Sequence, residues 1–388
     1  MASSAADIDS PEFVRRCERI AAGAAQWRDP KSWVRRESRE RLRDGIWSAP
    51  VVEAALDAAL WDLDLGRATE LVRRYDRQGA SALVILPGNV LGPAITSAYC
   101  AAVAGARAIL KPAQDERHLA DVVVQQFEEL GTPLASTIES RHWRGGDERL
   151  EGHAFSEATR VIVFGGDEAV QSVRSRIERP DRVVEFADAF SIGVVGPNAD
   201  VRQAARGTAI DVCMFDQRGC MSPQTIYVAG PHERAIIFGQ ALARALAEID
   251  RRLPRARPAA GEQAALADLI RLLSASVLDS PTHGLGTLIV DRRHQMIPSY
   301  VIAVEPFGSP RCAGFGRVVS VRPFAAMPAL ADVVKAFGRP LDTVGVGGAI
   351  APADTQLFGA QRVCALGEMQ RPPFGYRPSP ADFIDRNA

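Results

Sequence analysis

The sequence predicts an α/β protein with two lobes, each built on a mostly parallel sheet, preceded by a helical segment. Three observations favour this fold class. Short apolar runs typical of strands alternate with helical patterns, which indicates parallel strands joined by helices. Each run is continuous rather than alternating in polarity, as expected of strands covered on both faces. The 388 residues, 47% hydrophobic and 24% charged, suit a globular protein of two or three packed units.

The helical segment is predicted to cover residues 1–80, where VVEAALDAALWDLDL and ATELVRRY have apolar residues at helical spacing. A first lobe follows at 81–190 and is expected to pack against that segment. Its predicted strands are 83–86, 107–110, 161–164 and 183–186, and its predicted helices are 92–104, 116–130 and 167–177. The polar stretch 136–157 carries no predicted element.

The second lobe is predicted to span 191–360 and to be followed by a C-terminal tail, 361–388. Its predicted strands are 192–195, 224–228, 287–290, 300–304 and 317–321, and the strand-like QRVCAL begins the tail. Its predicted helices are 199–214, 232–250, 263–274 and 353–360. A Pro/Arg-rich connector occupies 251–262. The run GVGGA at 345–349 lacks the context of a dinucleotide fingerprint and is interpreted as a turn.

Composition and charge argue against several classes of function. A net charge of -1 does not support binding to nucleic acid or a polybasic patch that binds membranes. No apolar run approaches the roughly 18–20 residues that span a bilayer, and MASSAADIDSPEF lacks the features of a secretory signal. The six scattered cysteines indicate reduced thiols, and the histidines show no metal-ligand spacing with them. We therefore expect a cytoplasmic protein without a structural metal.

The strongest local signal is QRGCMSPQTIYV at 217–228, which places Cys220 after a glycine, in a loop before a strand. Backbone N–H groups of such a loop can activate a thiol and bind an oxyanion. The alternative interpretation is a small buried hydrophobic residue. Cys213, Cys312 and Cys364 have apolar surroundings in the sequence and are predicted to be core residues.

Three further motifs follow predicted strands of the first lobe. LPGNVLGPAI (86–95) presents Asn89 as a possible oxyanion donor, or alternatively as a helix cap. ILKPAQ (109–114) places Lys111 where it can meet a nucleotide, although most lysines are simply solvated. VIVFGGDEAV (161–170) can bring the backbone of Gly165 and Gly166 near a pyrophosphate, or can be an ordinary turn.

Taken together, the order Asn89, Lys111, Gly165-Gly166, Glu185, Cys220 resembles the aldehyde dehydrogenase superfamily. Within it, the sequence looks most like the acyl-CoA reductase family, whose best-known member makes fatty aldehyde for bacterial bioluminescence. FDQRGCMSPQTIYV, LPGNVLGPAI and the tail GAQRVCALGEMQRPPFGY carry the closer likeness, which runs from about residue 80 to 376. The resemblance implies an aldehyde dehydrogenase-like fold with two Rossmann-like lobes, one for the cofactor and one for catalysis.

The resemblance also implies roles for individual residues. Cys220 is expected to be the nucleophile, and Asn89 together with the Cys220 backbone N–H would hold the oxyanion. Lys111 is expected to contact the adenosine ribose, Gly166 to lie beside the phosphates, and Pro87 and Gly165 to help form the cofactor site. Glu185 falls near the general base of hydrolytic aldehyde dehydrogenases.

The chain departs from the superfamily pattern at three positions. Gln114 stands where enzymes that prefer NAD have a glutamate, and an amide does not repel a 2′-phosphate, so NADPH is the expected cofactor. The glutamate that usually holds the nicotinamide ribose would fall near Ala313 and is missing, while Glu305 in EPFGS is close in sequence. The tail reads FGYRPS where the family has a Trp/His/Asp-containing ending.

The expected reaction is the reduction of an acyl thioester, with long-chain fatty acyl thioesters among the candidates, to an aldehyde through an acyl-cysteine. The acyl donor is acyl-CoA or a carrier protein, and an acyl-protein synthetase is a possible partner. Two alternatives remain: a dehydrogenase that uses Glu185 to form the acid, and a non-catalytic subunit that accepts an acyl group. The superfamily usually forms homo-oligomers, which is also expected here.

Overall fold

The computed structural model describes residues 10–77, 79–114, 118–187, 189–256, 258, 260–278, 287–291, 298–312 and 316–384. The chain divides into two compact units. Within the described residues, the first unit comprises 10–45, 52–187 and 372–384, and the second comprises 46–51 and 189–371. The segment 361–388, expected to be one tail, is therefore divided between the two units. No helix in the described part is long and apolar enough to span a bilayer.

The first unit is a parallel sheet flanked by helices. Its helices are α1 (Pro11–Arg28), α2 (Trp33–Arg41), α3 (Ala49–Ala59, whose first three residues belong to the second unit), α4 (Leu65–Tyr75), α5 (Gly92–Ala104), α6 (His118–Leu130), α7 (Glu148–Glu157) and α8 (Asp167–Arg174). Its strands are β1 (Ser81–Ile85), β2 (Arg107–Lys111), β3 (Ile138–Ser140), β4 (Arg160–Phe164) and β5 (Val183–Phe186), and they lie in the order β3-β2-β1-β4-β5.

All described strand pairs of this sheet are parallel, so the carboxyl ends of the strands share one edge. The chain moves outward from β1 through β2 to β3 and then returns to β4 on the other side of β1. That reversal makes a topological switch point between β1 and β4, the place where open α/β sheets bind ligands. The predicted strands and helices of this lobe are confirmed, except that α8 ends at Arg174 rather than at 177, and residues 116 and 117 of the predicted helix 116–130 lie outside the described residues. The interpretation of 136–157 as a stretch without elements is wrong, because it contains β3 and α7.

The N-terminal helices pack on the sheet-covering helices through a buried polar group. Gln126 of α6 accepts hydrogen bonds from Trp27 Nε1 (2.8 Å) and from Tyr99 Oη (2.9 Å), and it donates to the carbonyl oxygen of Gly23 (3.0 Å). A Cβ atom on Gly23 would lie 2.7 Å from Leu130 Cδ1, so glycine allows this close approach of α1 and α6. Each buried polar atom of the amide therefore has a partner, as burial requires.

The second unit contains a larger sheet with helices on both faces. Its helices are α9 (Val201–Cys213), α10 (His232–Ile249), α11 (Ala260–Leu278), α12 (Met327–Lys335) and α13 (Pro352–Gln356). Its strands are β6 (Phe190–Val195), β7 (Pro223–Ala229), β8 (Thr287–Val290), β9 (Val301–Val304), β10 (Val318–Phe324), β11 (Leu341–Gly347) and β12 (Arg362–Ala365). They lie in the order β12-β11-β6-β7-β10-β9-β8, and the β8–β9 pair is antiparallel.

The glycine run interpreted as a turn is mainly strand, because Gly345 and Gly347 lie inside β11. The segment that follows β12 packs against this strand and against α9. A Cβ atom on Gly345 would lie 2.8 Å from Leu366 Cδ2. A Cβ atom on Gly207 of α9 would lie 2.4 Å from the carbonyl oxygen of Leu366. The glycines therefore serve close packing of this segment rather than a reversal of the chain.

Asp211 of α9 anchors the same segment. Its carboxylate accepts hydrogen bonds from the backbone N–H groups of Gly367 (2.6 Å) and Met369 (3.0 Å), and its side chain is buried. Burial raises the pKa of Asp211 to about 7, although the two N–H groups act in the opposite direction. The carboxyl group is therefore expected to keep its proton in the folded state over a pH range in which it ionises in the unfolded chain.

We predict that this difference makes Asp211 destabilise the fold as the pH rises. In the unfolded chain the pKa of Asp211 is about 3.9. Its contribution to the stability of the fold is therefore most favourable below pH 4, and it is lost as the pH rises to the folded-state pKa of about 7. Urea unfolding of wild type and Asp211→Asn at several pH values measures it. The free energy of unfolding of wild type minus that of the variant should fall by roughly 4 kcal/mol, at about 1.4 kcal/mol per pKa unit. The exposed Asp332→Asn provides the control, and a difference that does not vary with pH would contradict the assignment.

The C-terminal segment 372–384 packs on the first unit. Trp61 Nε1 donates to the carbonyl oxygen of Pro372 (2.9 Å), and Cys100 Sγ donates to that of Pro378 (3.3 Å). Phe383 is fully buried, and the guanidinium of Arg377 lies 5.4 Å from the ring centroid of Phe186. The FGYRPS sequence, which departs from the family ending, thus lies within a segment that packs onto the first unit.

Candidate active site

Cys220 lies in the loop 214–222, between α9 and β7. The loop ends in a turn in which the N–H of Ser222 donates to the carbonyl oxygen of Gly219 (3.0 Å). All six cysteines are among the described residues, and of these only Cys220 is exposed. Burial raises the pKa of the Cys213 thiol to about 12 and that of Cys364 to about 11. The interpretation of Cys220 as a buried hydrophobic residue is wrong. The core prediction is confirmed for Cys213, whereas Cys312 and Cys364 are only half-buried.

The backbone before Cys220 adopts a conformation that non-glycine residues rarely adopt. Phe215, Asp216 and Gln217 have φ angles of 55°, 50° and 62°. Left-handed backbone at such residues costs on the order of 1–3 kcal/mol each and persists where the surroundings determine it. Here the Gln217 side chain donates to the carbonyl oxygens of Pro223 (2.9 Å) and Val318 (3.1 Å), which fixes the start of the loop against the sheet.

A buried arginine holds the middle of the loop. Arg317 Nε donates to Asp216 Oδ1 (2.7 Å) and Nη1 donates to Asp250 Oδ1 (2.6 Å), while Nη2 donates to the carbonyl oxygen of Leu253 (2.8 Å). Both Arg317 and Asp216 are almost inaccessible to solvent. An arginine that is buried with this many acceptors is a structural support for the loop.

A short segment from the N-terminal region completes the support. Residues 46–51 belong to the second unit, and Trp47 makes an edge-to-face contact with Phe215, at 5.5 Å between ring centroids. The guanidinium of Arg218 lies 5.5 Å from the Trp47 ring centroid and pairs with Glu262 of α11 (2.7 Å). The residue two positions before Cys220 is therefore held by both a ring and a carboxylate.

Polar residues at the amino ends of neighbouring strands surround Cys220. Ser191 of β6 donates through Oγ to the carbonyl oxygen of Cys220 (2.7 Å) and accepts from the N–H of Thr343 in β11 (3.1 Å). Cys220 Sγ donates to Oδ2 of Asp342 (3.5 Å), and the Thr343 hydroxyl donates to Oδ1 (2.7 Å). Asp342 is fully buried. The thiol is thus exposed to solvent on one side and contacts a buried carboxylate on the other.

In the first unit, Pro87 and Asn89 follow β1 at the carboxyl edge of the sheet, and Asn89 is exposed. The N-cap of α5 is Leu91, with no side-chain capping hydrogen bond, so the interpretation of Asn89 as the helix cap is wrong. The N–H of Leu86 donates to the carbonyl oxygen of Lys111 (2.9 Å), and a Cβ atom on Gly88 would lie 3.0 Å from Ala113 Cβ. The loops after β1 and β2 therefore lie side by side.

The loop after β2 borders a cavity of about 350 Å³ lined by Pro112, Ala113, Gln114, His142, Trp143 and Arg144. Lys111 is half-buried at the end of β2, with Nζ 6.0 Å from the Trp143 ring centroid, and burial lowers the pKa of this lysine. His142 Nε2 lies 2.9 Å from Asp121 Oδ1. Nε1 of Trp143 is buried and has no hydrogen-bond partner among the described residues.

Gly165 and Gly166 follow β4, next to β1 in the sheet. Gly166 is the N-cap of α8, and the first turn of this helix contains Asp167 and Glu168. Carboxylates there already complement the positive end of the helix and weaken its attraction for a phosphate. Glu185 lies in β5, and its Oε1 accepts a hydrogen bond from Arg174 Nη1 of α8 (3.2 Å).

The structure adds two residues that the sequence did not identify, Asp342 and Ser191. They lie 122 and 29 positions from Cys220 in the chain, and no motif links them to it.

Of the two positions considered for the nicotinamide ribose, Ala313 lies outside the described residues. Glu305 is buried after β9 and accepts from Arg311 Nη2 (2.6 Å) and Ser320 Oγ (2.6 Å). No group of three or more His, Cys, Asp or Glu among the described residues could hold a metal ion.

The fold is that of aldehyde dehydrogenases. A benzaldehyde dehydrogenase from Corynebacterium glutamicum superposes with a TM-score of 0.70 at 16% identity, covering 98% of this chain and 86% of that one. The aldehyde dehydrogenase KauB from Pseudomonas aeruginosa superposes with a TM-score of 0.71 at 15% identity, covering 91% and 76%. The prediction of an aldehyde dehydrogenase-like α/β fold is thus confirmed.

Within that class, the family model described as Acyl-CoA reductase (LuxC) matches residues 52–377, and the chain belongs to this family. The long-chain acyl-protein thioester reductase 2 of Photobacterium leiognathi is 28% identical over 184 residues, and the long-chain acyl-protein thioester reductase of Aliivibrio fischeri is 27% identical over 185. Each match covers 47% of this chain and 38% of the relative's length. The resemblance to this family is confirmed.

Proposed function

We propose that this protein reduces an acyl thioester to an aldehyde with NADPH, through an acyl group bound covalently to Cys220. The observation that carries the proposal is the single exposed cysteine among the six described ones, set in a rigid turn beside a buried carboxylate. An accessible thiol on a supported loop suits nucleophilic catalysis, which divides a difficult reaction into two easier steps. Membership of the acyl-CoA reductase family gives the reaction class independent support.

The chain's own residues would divide the first half-reaction among them. Cys220 Sγ attacks the thioester carbonyl carbon, and the thiol of the donor leaves. Asn89 and the backbone N–H of Cys220 are proposed to donate hydrogen bonds to the oxyanion that forms. Preorganised donors of this kind are commonly the largest single contribution to acyl transfer, and each is worth a factor of about 100–1,000 in rate. The aldehyde is released when the C–S bond to Cys220 breaks.

The residues at the carboxyl edge of the first sheet fit a nicotinamide nucleotide. Gly88 lets the loops after β1 and β2 lie close together, and Trp143 Nε1 is an unpaired donor beside the cavity. Lys111 supplies a cation at the end of β2. Pro87, Gly165 and Gly166 are proposed to complete the site around the switch point. When bound, NADPH supplies the hydride that reduces the acyl group.

NADPH is proposed over NADH because the cavity beside Lys111 is cationic and amide-lined. Gln114 and Arg144 both line it, and neither repels a 2′-phosphate. Asp121, on the far side of His142, is paired with that imidazole. Arg144 adds a guanidinium to the ammonium of Lys111, and a guanidinium can bind a phosphate through two parallel hydrogen bonds.

Replacing Gln114 with glutamate is expected to weaken NADPH binding by about tenfold or more while changing NADH binding little. A carboxylate at this position repels a 2′-phosphate but can accept hydrogen bonds from a ribose hydroxyl, and tenfold corresponds to about 1.4 kcal/mol. Isothermal titration calorimetry with each nucleotide measures the change. Gln171→Glu, on the exposed face of α8, is the matched control. Equal loss for both nucleotides would contradict recognition of the 2′-phosphate at Gln114.

The acyl donor is proposed to be a long-chain acyl thioester, held either by CoA or by a protein. The two relatives described above are named long-chain acyl-protein thioester reductases, which favours a protein donor such as an acyl-protein synthetase. The family description names acyl-CoA. Both donors present the same thioester carbonyl to Cys220, so the chemistry at the cysteine is the same.

The proposal is tested by incubating the protein with acyl-CoAs of increasing chain length, without nucleotide, and recording its intact mass. An added acyl mass that maps to Cys220 and disappears when NADPH is supplied is the expected result. Oxidation of free aldehyde without CoA would instead favour the dehydrogenase that forms the acid. An adduct that persists with NADPH, in a protein that binds neither nucleotide, would favour the non-catalytic acyl-accepting subunit.

A further inference from the structure

We propose that Asp342 is a catalytic residue that takes the thiol proton from Cys220 during attack on the thioester and returns it to the departing thiol. The inference rests on the proposed function and deepens it. Oδ2 of Asp342 accepts from Cys220 Sγ at 3.5 Å. Glu185, the residue that the superfamily resemblance suggested as a base, has its carboxylate hydrogen-bonded to Arg174.

The backbone around Asp342 is built to present this side chain. Leu341 pairs with Phe190 and Val344 with Ile192, so β11 contains one more residue than β6 over the stretch that includes Asp342. On the other side of β6, Ser191 pairs with Pro223 and Ile192 with Thr225, so β7 also contains an extra residue. Bulges are over-represented next to active sites, where they redirect a side chain. These two irregularities flank the Cys220 turn.

Hydrogen bonds fix the positions of the two groups relative to each other. Ser191 links the N–H of Thr343 (3.1 Å) to the carbonyl oxygen of Cys220 (2.7 Å), so the backbone beside Asp342 is joined to the backbone of the cysteine. The Thr343 hydroxyl donates to Oδ1 (2.7 Å), which orients the carboxylate and directs Oδ2 toward the thiol. A base that is locked by its neighbours is the arrangement that nucleophilic catalysis requires.

The environment of the carboxylate also favours proton transfer. Asp342 is fully buried while Cys220 is exposed, so the base lies on the protein side of the thiol and the substrate side stays open. Electrostatic interactions are stronger away from water. Among the described residues, two charged groups lie beside the chain neighbours of Cys220. Arg218 pairs with Glu262 of α11, and Arg362 of β12 has its Nη1 3.8 Å from Met221 Sδ.

The step balances without a redox reagent. As Cys220 Sγ bonds to the carbonyl carbon, its proton moves to Oδ2 of Asp342. When the C–S bond to the donor breaks, the departing thiolate takes that proton. One thiol is consumed, one is released, and Asp342 ends as a carboxylate.

Asp342→Asn tests this role because the amide is isosteric but neither charged nor basic. With dodecanoyl-CoA and rapid-quench intact mass spectrometry, acylation of Cys220 should slow by about 100-fold or more at neutral pH. The acylation rate of the variant should also depend more steeply on pH than that of wild type, because only thiol that has already ionised can attack once the base is removed. Slower acylation combined with a steeper dependence on pH is not the signature of a damaged fold. Asp332→Asn is the matched control, since Asp332 is exposed on α12 of the same unit.

Wild-type acylation rates in Asp342→Asn, or an acylation rate whose dependence on pH is unchanged, would overturn the proposal. If wild type is acylated and only this comparison fails, the proposed function stands without Asp342. If wild type is acylated by no thioester, both fail. Should Asp342→Asn not fold, Thr343→Val keeps the carboxylate but removes the hydroxyl that orients it. Slower acylation is expected there too, and a wild-type rate in Thr343→Val would overturn the orientation argument and with it the proposed role.

Discussion

Replacing Cys220 with alanine is expected to abolish formation of the acyl-enzyme completely and to leave the fold intact. The side chain is exposed and its turn is closed by backbone hydrogen bonds, so removal of the sulfur takes away little packing. Without a sulfur atom, however, no covalent acyl transfer can occur at this position. The proposed second half-reaction needs the acyl-cysteine as its substrate, so aldehyde formation should also stop.

Two measurements test this expectation together. Intact mass after incubation with a long-chain acyl-CoA should show no adduct in Cys220→Ala, and NADPH consumption in the presence of the thioester should fall to background. Cys364→Ser is the appropriate control, because burial raises the pKa of the Cys364 thiol to about 11 and leaves it largely un-ionised at neutral pH. An acyl adduct that persists in Cys220→Ala would assign the nucleophile to another residue.

Most of the secondary structure could be predicted from the sequence because each element carries a local signal. The run LVIL before Pro87-Gly88 and the alanine-rich pattern of α5 identify their structures without reference to the rest of the chain. β3 and α7 were missed for the opposite reason. β3 has three residues, and α7 is rich in charged side chains, although the side chain of Asp147 caps its first turn by accepting from the N–H of Leu150 (3.1 Å).

The glycines of β11 were misinterpreted because glycine has two distinct uses. It allows turns, and it also allows close approach of packed segments. The contacts of Gly345 with Leu366 and Met369 are tertiary, and no pattern in the sequence near residue 345 indicates them. The division of the tail between the two units has the same origin, since Trp61 and Cys100 are far from residues 372–378 in the sequence.

The candidate site shows a similar limit. Cys220, Asn89 and Lys111 could be identified because they lie in motifs beside strands. Asp342 could not, because its relation to Cys220 depends on the adjacency of β11, β6 and β7 and on a bulge in the register. When strand pairing between distant segments orients a side chain, the sequence around that residue contains no pattern that predicts its position.

Replacing Arg317 with leucine is expected to destabilise the second unit by about 3–5 kcal/mol, the usual cost of leaving a buried charge without its partner. Arg317 is fully buried, and its guanidinium binds the carboxylates of Asp216 and Asp250 as well as backbone carbonyl oxygens. The loss would also release the left-handed backbone of residues 215–217, which lies directly before the turn that holds Cys220.

Urea unfolding measures the stability change, and iodoacetamide reactivity of Cys220 reports the loop. Arg244→Leu, on the exposed face of α10, removes the same charge without a buried partner and should change the free energy of unfolding little. The double variant Arg317→Leu/Asp216→Asn should recover part of the stability lost in Arg317→Leu, because the uncompensated carboxylate is then neutral. A double variant that is less stable than Arg317→Leu would show that Asp216 supports the loop through its other hydrogen bonds, such as the one from the N–H of Ala256 (3.2 Å), rather than through its charge.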